Sequence, residues 1–281
     1  MPEGDTIFRA ARAMHRALAG KVVTEFRSVL PALNRIDDDA PLAGRTIDAV
    51  RASGKHLLIE FSGDLILRTH MRMNGSWHLY RPGERWRRPN MDMRIVISIP
   101  DFVAVGFRIP VAEFLTSRTA LRQTDLRLIG PDLLGTEFDE DEVIRRMRKR
   151  PQLPMSDALL NQRVVAGIGN VYKSEVLFIC GVSPFRPLSS VDDLTLRRIL
   201  RKARQLLGAN VIDGTTAAIV TYSGFRRTTG RSDSAERLWV YSRGGQPCRK
   251  CGTRVESTKQ GMDARLTYWC PRCQPDEASG N

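Results

Sequence analysis

Apolar residues Ile7, Ala11, Met14 and Leu18 recur at helical spacing and predict an amphipathic helix over residues 6–19. Asp5 or Thr6 can cap its start, and Gly20 can end it. The pattern then shortens. Leu57–Phe61, Leu65–Thr69, Ser76–Tyr80, Ile95–Ile99 and Phe102–Val105 are apolar or alternating runs, with turn residues such as Asn74-Gly75 between them. Short strands in series predict a sandwich or flattened barrel over residues 21–118. Trp86-Arg87-Arg88-Pro89 reads as an exposed basic loop, and 119–135, with Gly130-Pro131-Asp132, as an interdomain linker. Helical patterns follow. Asp139–Arg150 and Asp192–Leu207 are amphipathic, with solvated basic faces that include Arg197, Arg198 and Arg201. Residues 223–236 are polar and glycine-containing and read as a mobile loop.

Between those helices lies Gly167-Ile168-Gly169-Asn170. Its glycines permit a tight backbone turn, and Asn170 can cap a helix running to about Cys180. A glycine turn opening onto a helix N-terminus is a phosphate-binding arrangement, although helix-to-helix corners need glycine for their own geometry.

The chain has 281 residues, enough for two cores. It has no run of about 18 apolar residues, and its charged start does not read as a signal peptide, so a cytoplasmic location is expected. The net charge is +13, from 44 Lys and Arg against 31 Asp and Glu. Such an excess fits a polyanionic partner. Nucleic acid is favoured over membrane, because no basic amphipathic helix is flanked by Trp or Phe. The excess concentrates between Arg237 and Gln274, where eight cations face two acids.

That region holds four of the five cysteines: Cys248, Cys251, Cys270 and Cys273. Two C-x2-C pairs separated by eighteen residues match a four-thiolate zinc site. Four protein ligands leave the ion no open position, so one structural Zn2+ is expected. Arg254–Lys259 and Ala264–Trp269 can form a hairpin around a Gln260–Asp263 turn, with Arg265 on the returning strand. Cys180 lies in an apolar helical stretch and reads as core.

The start, Met1-Pro2-Glu3-Gly4, carries candidate chemistry. Removal of Met1 would leave Pro2 with a free secondary amine, able to attack an aldehyde or sugar C1′ and form a charged Schiff base. Glu3 places a carboxylate beside it for proton transfer. The positive end of the following helix favours the unprotonated amine.

Together these residues resemble the formamidopyrimidine-DNA glycosylase / endonuclease VIII family, closer to its endonuclease VIII side. The resemblance rests on the start, Gly54-Lys55, His70-Met71-Arg72-Met73-Asn74-Gly75, the Gly167–Asn170 segment and the cysteine hairpin. It implies an α+β multidomain fold. A β-sandwich with a leading helix would occupy 1–118, a helix-two-turns-helix domain 136–236, a zinc-finger hairpin 237–275 and a disordered tail 276–281. Damaged DNA would be the partner of a monomeric enzyme without a small-molecule cofactor, nucleoid-associated if bacterial. The implied activity is removal of oxidised bases, pyrimidines foremost, followed by β,δ-elimination at the abasic site. By resemblance Pro2 is the nucleophile, Glu3 the proton donor, Lys55 the lysine of β-elimination and Arg265 the arginine of δ-elimination. Asn170 would contact phosphate, and Arg72 and Met73 would fill the space a flipped base vacates.

Three departures are visible. No Arg-x-Phe pair occurs in 101–120 to supply the family's other fillers, which weakens an assignment to oxidised purines. Asn161 stands where the family often has Asp, and Arg127 lies one position from a family DNA-binding arginine. Charge and cysteines alone also fit a non-catalytic zinc-hairpin nucleic-acid-binding protein, and the same fold could act on 8-oxoguanine.

Overall fold

The computed structural model describes residues 2–211, 227–229, 236–261 and 264–276. Met1, most of the 223–236 loop, Met262-Asp263 of the hairpin turn and the tail from 277 lie outside them. The described residues form two compact units, one through Leu128 and one from Ile129 onward.

The first unit opens with α1 (Gly4–Leu18), which starts two residues earlier than the apolar period predicts. Glu3, extended at φ −122°, is the N-cap residue, and its carbonyl accepts from Thr6 N at 3.0 Å and Ile7 N at 3.1 Å. Asp5 and Thr6 therefore lie inside the first turn instead of capping it. The buried face carries Ile7, Ala11, Met14 and Leu18, as expected.

After α1 come β1 (Glu25–Ser28), α2 (Pro31–Asp39), β2 (Ile47–Ser53), β3 (His56–Phe61), β4 (Leu65–His70), β5 (Ser76–Tyr80), β6 (Met93–Ser98), β7 (Val103–Phe107) and β8 (Val111–Leu115). The strands form two antiparallel four-stranded sheets, ordered β1-β6-β7-β5 and β2-β3-β4-β8. Alternate residues of both sheets, among them Leu57, Ile59, Phe61, Trp77, Ile95 and Ile97, share one core with α1. This is the expected sandwich.

The opposite face of β5 is also covered. Tyr80, Val96, Val105 and Phe107 form a small second core. Trp86 packs there, 5.7 Å from the Phe107 ring and 6.4 Å from Tyr80, and Arg87 N donates to Tyr80 Oη at 3.1 Å. The 86–89 stretch is thus a strap anchored by its tryptophan, with only part of it exposed. The 119–135 stretch overlaps α3 (Ser117–Arg122) and contains α4 (Thr124–Arg127). Neither has a buried apolar stripe to mark it in the sequence; Thr116 starts α3 through a capping box with Thr119.

The second unit contains α5 (Glu140–Arg148), α6 (Met155–Leu160), α7 (Asn170–Ile179), α8 (Asp193–Ala209) and the hairpin β9 (Glu256–Gln260) and β10 (Arg265–Trp269). Asp139 caps α5 and Asp192 caps α8, each accepting a backbone N–H at 2.8 Å. Two cations of the basic face of α8 are ion-paired to α5: Arg197 reaches Glu140 at 3.0 Å and Asp141 at 2.5 Å, and Arg201 reaches Glu140 at 3.1 Å. Cys180 is buried in the apolar core of this unit, as expected.

Candidate active site

Hydrogen bonds fix the direction of α1 along β2. Gly20 N donates to Ile47 O at 2.8 Å, and Val50 N donates to His15 Nδ1 at 3.1 Å. The helix therefore runs back along the strand. Its N-terminus lies toward the end of β2, where the Gly54-Lys55 turn leads into β3. Pro2 and Glu3 are buried there, Glu3 completely. Gly54, at φ +57°, occupies the first central position of this two-residue hairpin loop, where a type II′ turn demands glycine.

The β3–β4 register pairs His56 with His70, so the Lys55 turn lies beside the 71–75 crossover from β4 to β5. That crossover is tight. Gly75 N donates to Met71 O at 2.9 Å, and a Cβ on Gly75 would fall 2.6 Å from the same carbonyl. Arg72 is in the left-handed region at φ +45°, held by its N–H donating to His70 Nδ1 at 3.0 Å. Arg72 is exposed at the turn, and Met73 is 51% exposed. That exposure shows that Met73 is not a core residue.

His70 is the member of this cluster that residue-by-residue reading assigned no role. Burial, then Lys55 and Arg72, lower its pKa to about 4, so at neutral pH its ring is uncharged. Nδ1 accepts from Arg72, which places the proton on Nε2. A second crossover, 108–110, joins β7 to β8 at the same edge, because Phe107 pairs with Ser76 and Val111 with His70. It presents Arg108, at φ +48°, with its Nε 2.8 Å from Asp92 Oδ1. Phe107 is fully buried in the second small core, under Trp86 and on the sheet face away from the sandwich interior. Pro2, Glu3, Lys55, Arg72 and Met73 thus share one end of the first unit.

In the second unit, Gly169 is the N-cap of α7 and Asn170 is the first helical residue. Asn170 does not cap the helix because its side chain is engaged elsewhere: Nδ2 donates to Leu266 O at 2.7 Å, on the strand that carries Arg265. The structure therefore brings Asn170 and β10 together. The preceding turn is held by Gln162, whose Nε2 donates to Leu160 O at 2.9 Å and Ile168 O at 3.0 Å while Oε1 accepts from Gly167 N at 3.1 Å. Asn161 Oδ1 accepts from Arg163 N at 3.0 Å, a turn contact that an aspartate in its place would also make.

Glu175, also on α7, is fully buried. Its Oε1 accepts from Val240 N and Tyr241 N, each at 2.9 Å, and its Oε2 from Trp239 N at 2.8 Å and from Thr228 Oγ1. Burial pushes its pKa up, against these four hydrogen bonds. The carboxylate ties the lead-in of the cysteine hairpin to α7.

Cys248, Cys251, Cys270 and Cys273 converge, with all ligand atoms within 4.8 Å of one another. The Cys248–Cys273 and Cys251–Cys270 sulfurs are 3.9 and 3.5 Å apart. A tetrahedral zinc with bonds of about 2.3 Å sets its sulfurs about 3.8 Å apart, so the set fits one structural zinc ion. Among the described residues this is the one group of three or more His, Cys, Asp or Glu side chains placed to hold a metal. No helix among the described residues is long and apolar enough to cross a membrane.

Three family models match. Residues 1–131 match the formamidopyrimidine-DNA glycosylase N-terminal domain, 129–221 its H2TH domain, and 245–275 a zinc finger found in FPG and IleRS. A probable endonuclease 8 2 from Streptomyces coelicolor is 41% identical, across 99% of this chain and 95% of the relative. A DNA-(apurinic or apyrimidinic site) lyase Nei2 from Mycolicibacterium smegmatis is 35% identical, across 98% and 99%. A formamidopyrimidine-DNA glycosylase from Heliobacterium modesticaldum is 31% identical, across 98% of this chain and all of that relative. The fold matches that of Lactococcus lactis Fpg in complex with abasic-site DNA, with TM-score 0.80 and 22% identity over 98% of this chain and 100% of that one. The chain belongs to the formamidopyrimidine-DNA glycosylase / endonuclease VIII family, on its endonuclease VIII side.

Proposed function

We propose that this protein is a bifunctional DNA glycosylase and AP lyase of base excision repair that removes oxidised pyrimidines through a Schiff base at Pro2. The observation that carries this reading is the burial of Pro2 and Glu3 at the end of the first unit that also holds the Lys55 turn and the exposed Arg72-Met73 turn.

Once Met1 is removed, the Pro2 amine lies ahead of the positive end of α1, which disfavours its ammonium form. Its lone pair attacks C1′ of the damaged nucleotide. The C1′–N bond breaks, and the base leaves with a proton. Glu3 serves as the proton donor that opens the sugar ring. The resulting iminium makes the C2′ proton acidic. Loss of that proton expels the 3′ phosphate, with Lys55 assisting; a second elimination expels the 5′ phosphate, with Arg265 assisting. Hydrolysis of the imine returns the free amine. Asn170 and Arg265 hold phosphates, and Met73, with Arg72, enters the space left by the extruded nucleotide. The zinc ion has no part in these steps: with four thiolates it holds the shape of the hairpin that carries Arg265.

Borohydride reduction in the presence of abasic-site DNA tests the reading. Wild type forms a covalent adduct, and Pro2→Gly and Pro2→Ala, which replace the secondary amine with a primary one, form much less of it. No adduct with wild type, or an undiminished one with both variants, overturns the Schiff base at this residue. Faster excision of thymine glycol than of 8-oxoguanine is expected; the reverse order assigns the enzyme to oxidised purines.

A further inference from the structure

Lys173 lies on α7 with no exposed surface. A buried ammonium is tolerated only where its donors are matched. Here Nζ donates to Asn170 Oδ1 and Thr267 Oγ1, both at 2.7 Å, and to Leu266 O at 3.3 Å. These acceptors are a side-chain amide, a hydroxyl and a backbone carbonyl, and the carboxylate of Asp157 lies near enough to feel the ammonium's charge. One acceptor belongs to the residue read above as a phosphate contact. The other two lie on β10 immediately after Arg265.

The chemistry of the partners settles the Asn170 amide. An ammonium can only donate, so the atom facing Lys173 is Oδ1. The Leu266 carbonyl can only accept, so the atom facing it, at 2.7 Å, is Nδ2. With one Nδ2 hydrogen on Leu266, the second is available to an acceptor on a ligand. Without Lys173 the orientation rests on Leu266 O alone, and Oδ1 is left without its donor. The same ammonium clamps α7 to β10, so it also sets the spacing between Asn170 and Arg265.

We propose that Lys173 is a positioning residue for phosphate capture, holding the Asn170 amide in its donating orientation and locking α7 to the strand that carries Arg265. The inference rests on the reading of Asn170 as a phosphate contact. Lys173 itself touches no phosphate, because it is fully enclosed.

A double-mutant cycle on the zinc-loaded full chain separates the possibilities, with binding to duplex DNA carrying a tetrahydrofuran abasic analogue as the readout. Asn170→Ala and Lys173→Met are each expected to weaken binding roughly tenfold, the scale of one lost charge-assisted hydrogen bond. The double variant is expected to bind as Asn170→Ala does, because Lys173 acts through Asn170. The slope of log K against log salt should stay that of wild type in Lys173→Met, whereas removal of a direct phosphate cation lowers it by about one. If Asn170→Ala binds normally, the phosphate reading fails. If it binds weakly and the two effects multiply to about a hundredfold, that reading stands and the positioning role is overturned. Unchanged binding by Lys173→Met also overturns it. Zinc content and the urea midpoint accompany each variant. Should Lys173→Met not fold, Lys173→Gln, which keeps donors toward Asn170 and Thr267, takes its place in the cycle; failure of both to fold assigns Lys173 to stability alone and overturns the proposal.

Discussion

Replacing Glu175 with glutamine is a severe test of how the second unit holds together, because it changes one atom. The carboxylate receives backbone N–H groups from Trp239, Val240 and Tyr241 and the hydroxyl of Thr228. A glutamine can turn its carbonyl to Val240 and Tyr241, which sets its NH2 group against Trp239 N–H. The Thr228 hydroxyl can adapt, accepting from the amide and donating to Arg237 O, already 3.3 Å away. Trp239 N–H cannot adapt. One buried, orphaned N–H costs about 1–3 kcal/mol, and loss of charge assistance on the other two bonds adds about 1 kcal/mol each. Removing a buried charge returns part of this, since burial disfavours the ionised form. The net loss is about 2–3 kcal/mol. Glu175→Ala orphans all three N–H groups and should cost about 5 kcal/mol. Urea unfolding followed by tryptophan fluorescence measures both, and the melting point of Glu175→Gln should fall by about 5–10 °C for a unit of this size. A glutamine variant within 0.5 kcal/mol of wild type, or one less stable than the alanine variant, refutes the reasoning.

Two further outcomes follow from the first unit. In Gly75→Ala the new Cβ would lie 2.6 Å from Met71 O and 2.9 Å from Met71 Cα, both backbone atoms, so the crossover must open. Stability should drop by about 1–3 kcal/mol and abasic-site binding should weaken; an unchanged melting point and affinity would contradict this. Stability should also fall on acidification. His56 and His70 have folded pKa values lowered to about 3 and about 4, in both cases first by burial. The unfolded chain takes up these protons near pH 6.5 and the folded chain does not. Their contribution is therefore complete above pH 6.5 and is lost as pH falls toward 4. Discounted for solvent screening, the loss is about 3 kcal/mol between pH 6.5 and 4.5. Denaturant midpoints across that range, in wild type and in a His56→Gln/His70→Gln variant, measure it; equal slopes in the two proteins would exclude these histidines as the cause.

The parts of the fold that could be read in advance are those whose signal is local. In β3, Leu57, Ile59 and Phe61 alternate with half-exposed residues, and the period gives the strand directly. The cysteine pairs are local too, because each C-x2-C turn sets two ligands by itself. Strand β2 escapes the period because a register shift between Ile47 and Ala49 puts a bulge into its alternation. Strand β8 follows Pro110 and contains Glu113, whose charge is answered by Arg68 on β4 at 2.9 Å. The chain shows that acid, but not the neighbour that makes it acceptable in a sheet.

Helix α7 shows why the candidate site was only partly legible. An amphipathic helix announces its buried face by a stripe of apolar residues, whereas nine of the ten α7 residues are buried, including Asn170, Lys173, Ser174 and Glu175. In the sequence those residues resemble an ordinary solvated face. Their partners lie far down the chain: Lys173 bonds Thr267, 94 residues on, and Glu175 bonds Val240, 65 residues on. Residues 173 and 175 are about 200° apart around a helix axis, so the two charges leave α7 in nearly opposite directions. One meets β10 and the other meets the 239–241 segment. A helix held from both sides by buried charges resists rotation about its axis, since any turn carries both side chains away from their partners. That constraint is what a phosphate contact at Asn170 requires. A single amide hydrogen is directional, and it is useful to the enzyme only if the helix that carries it cannot roll.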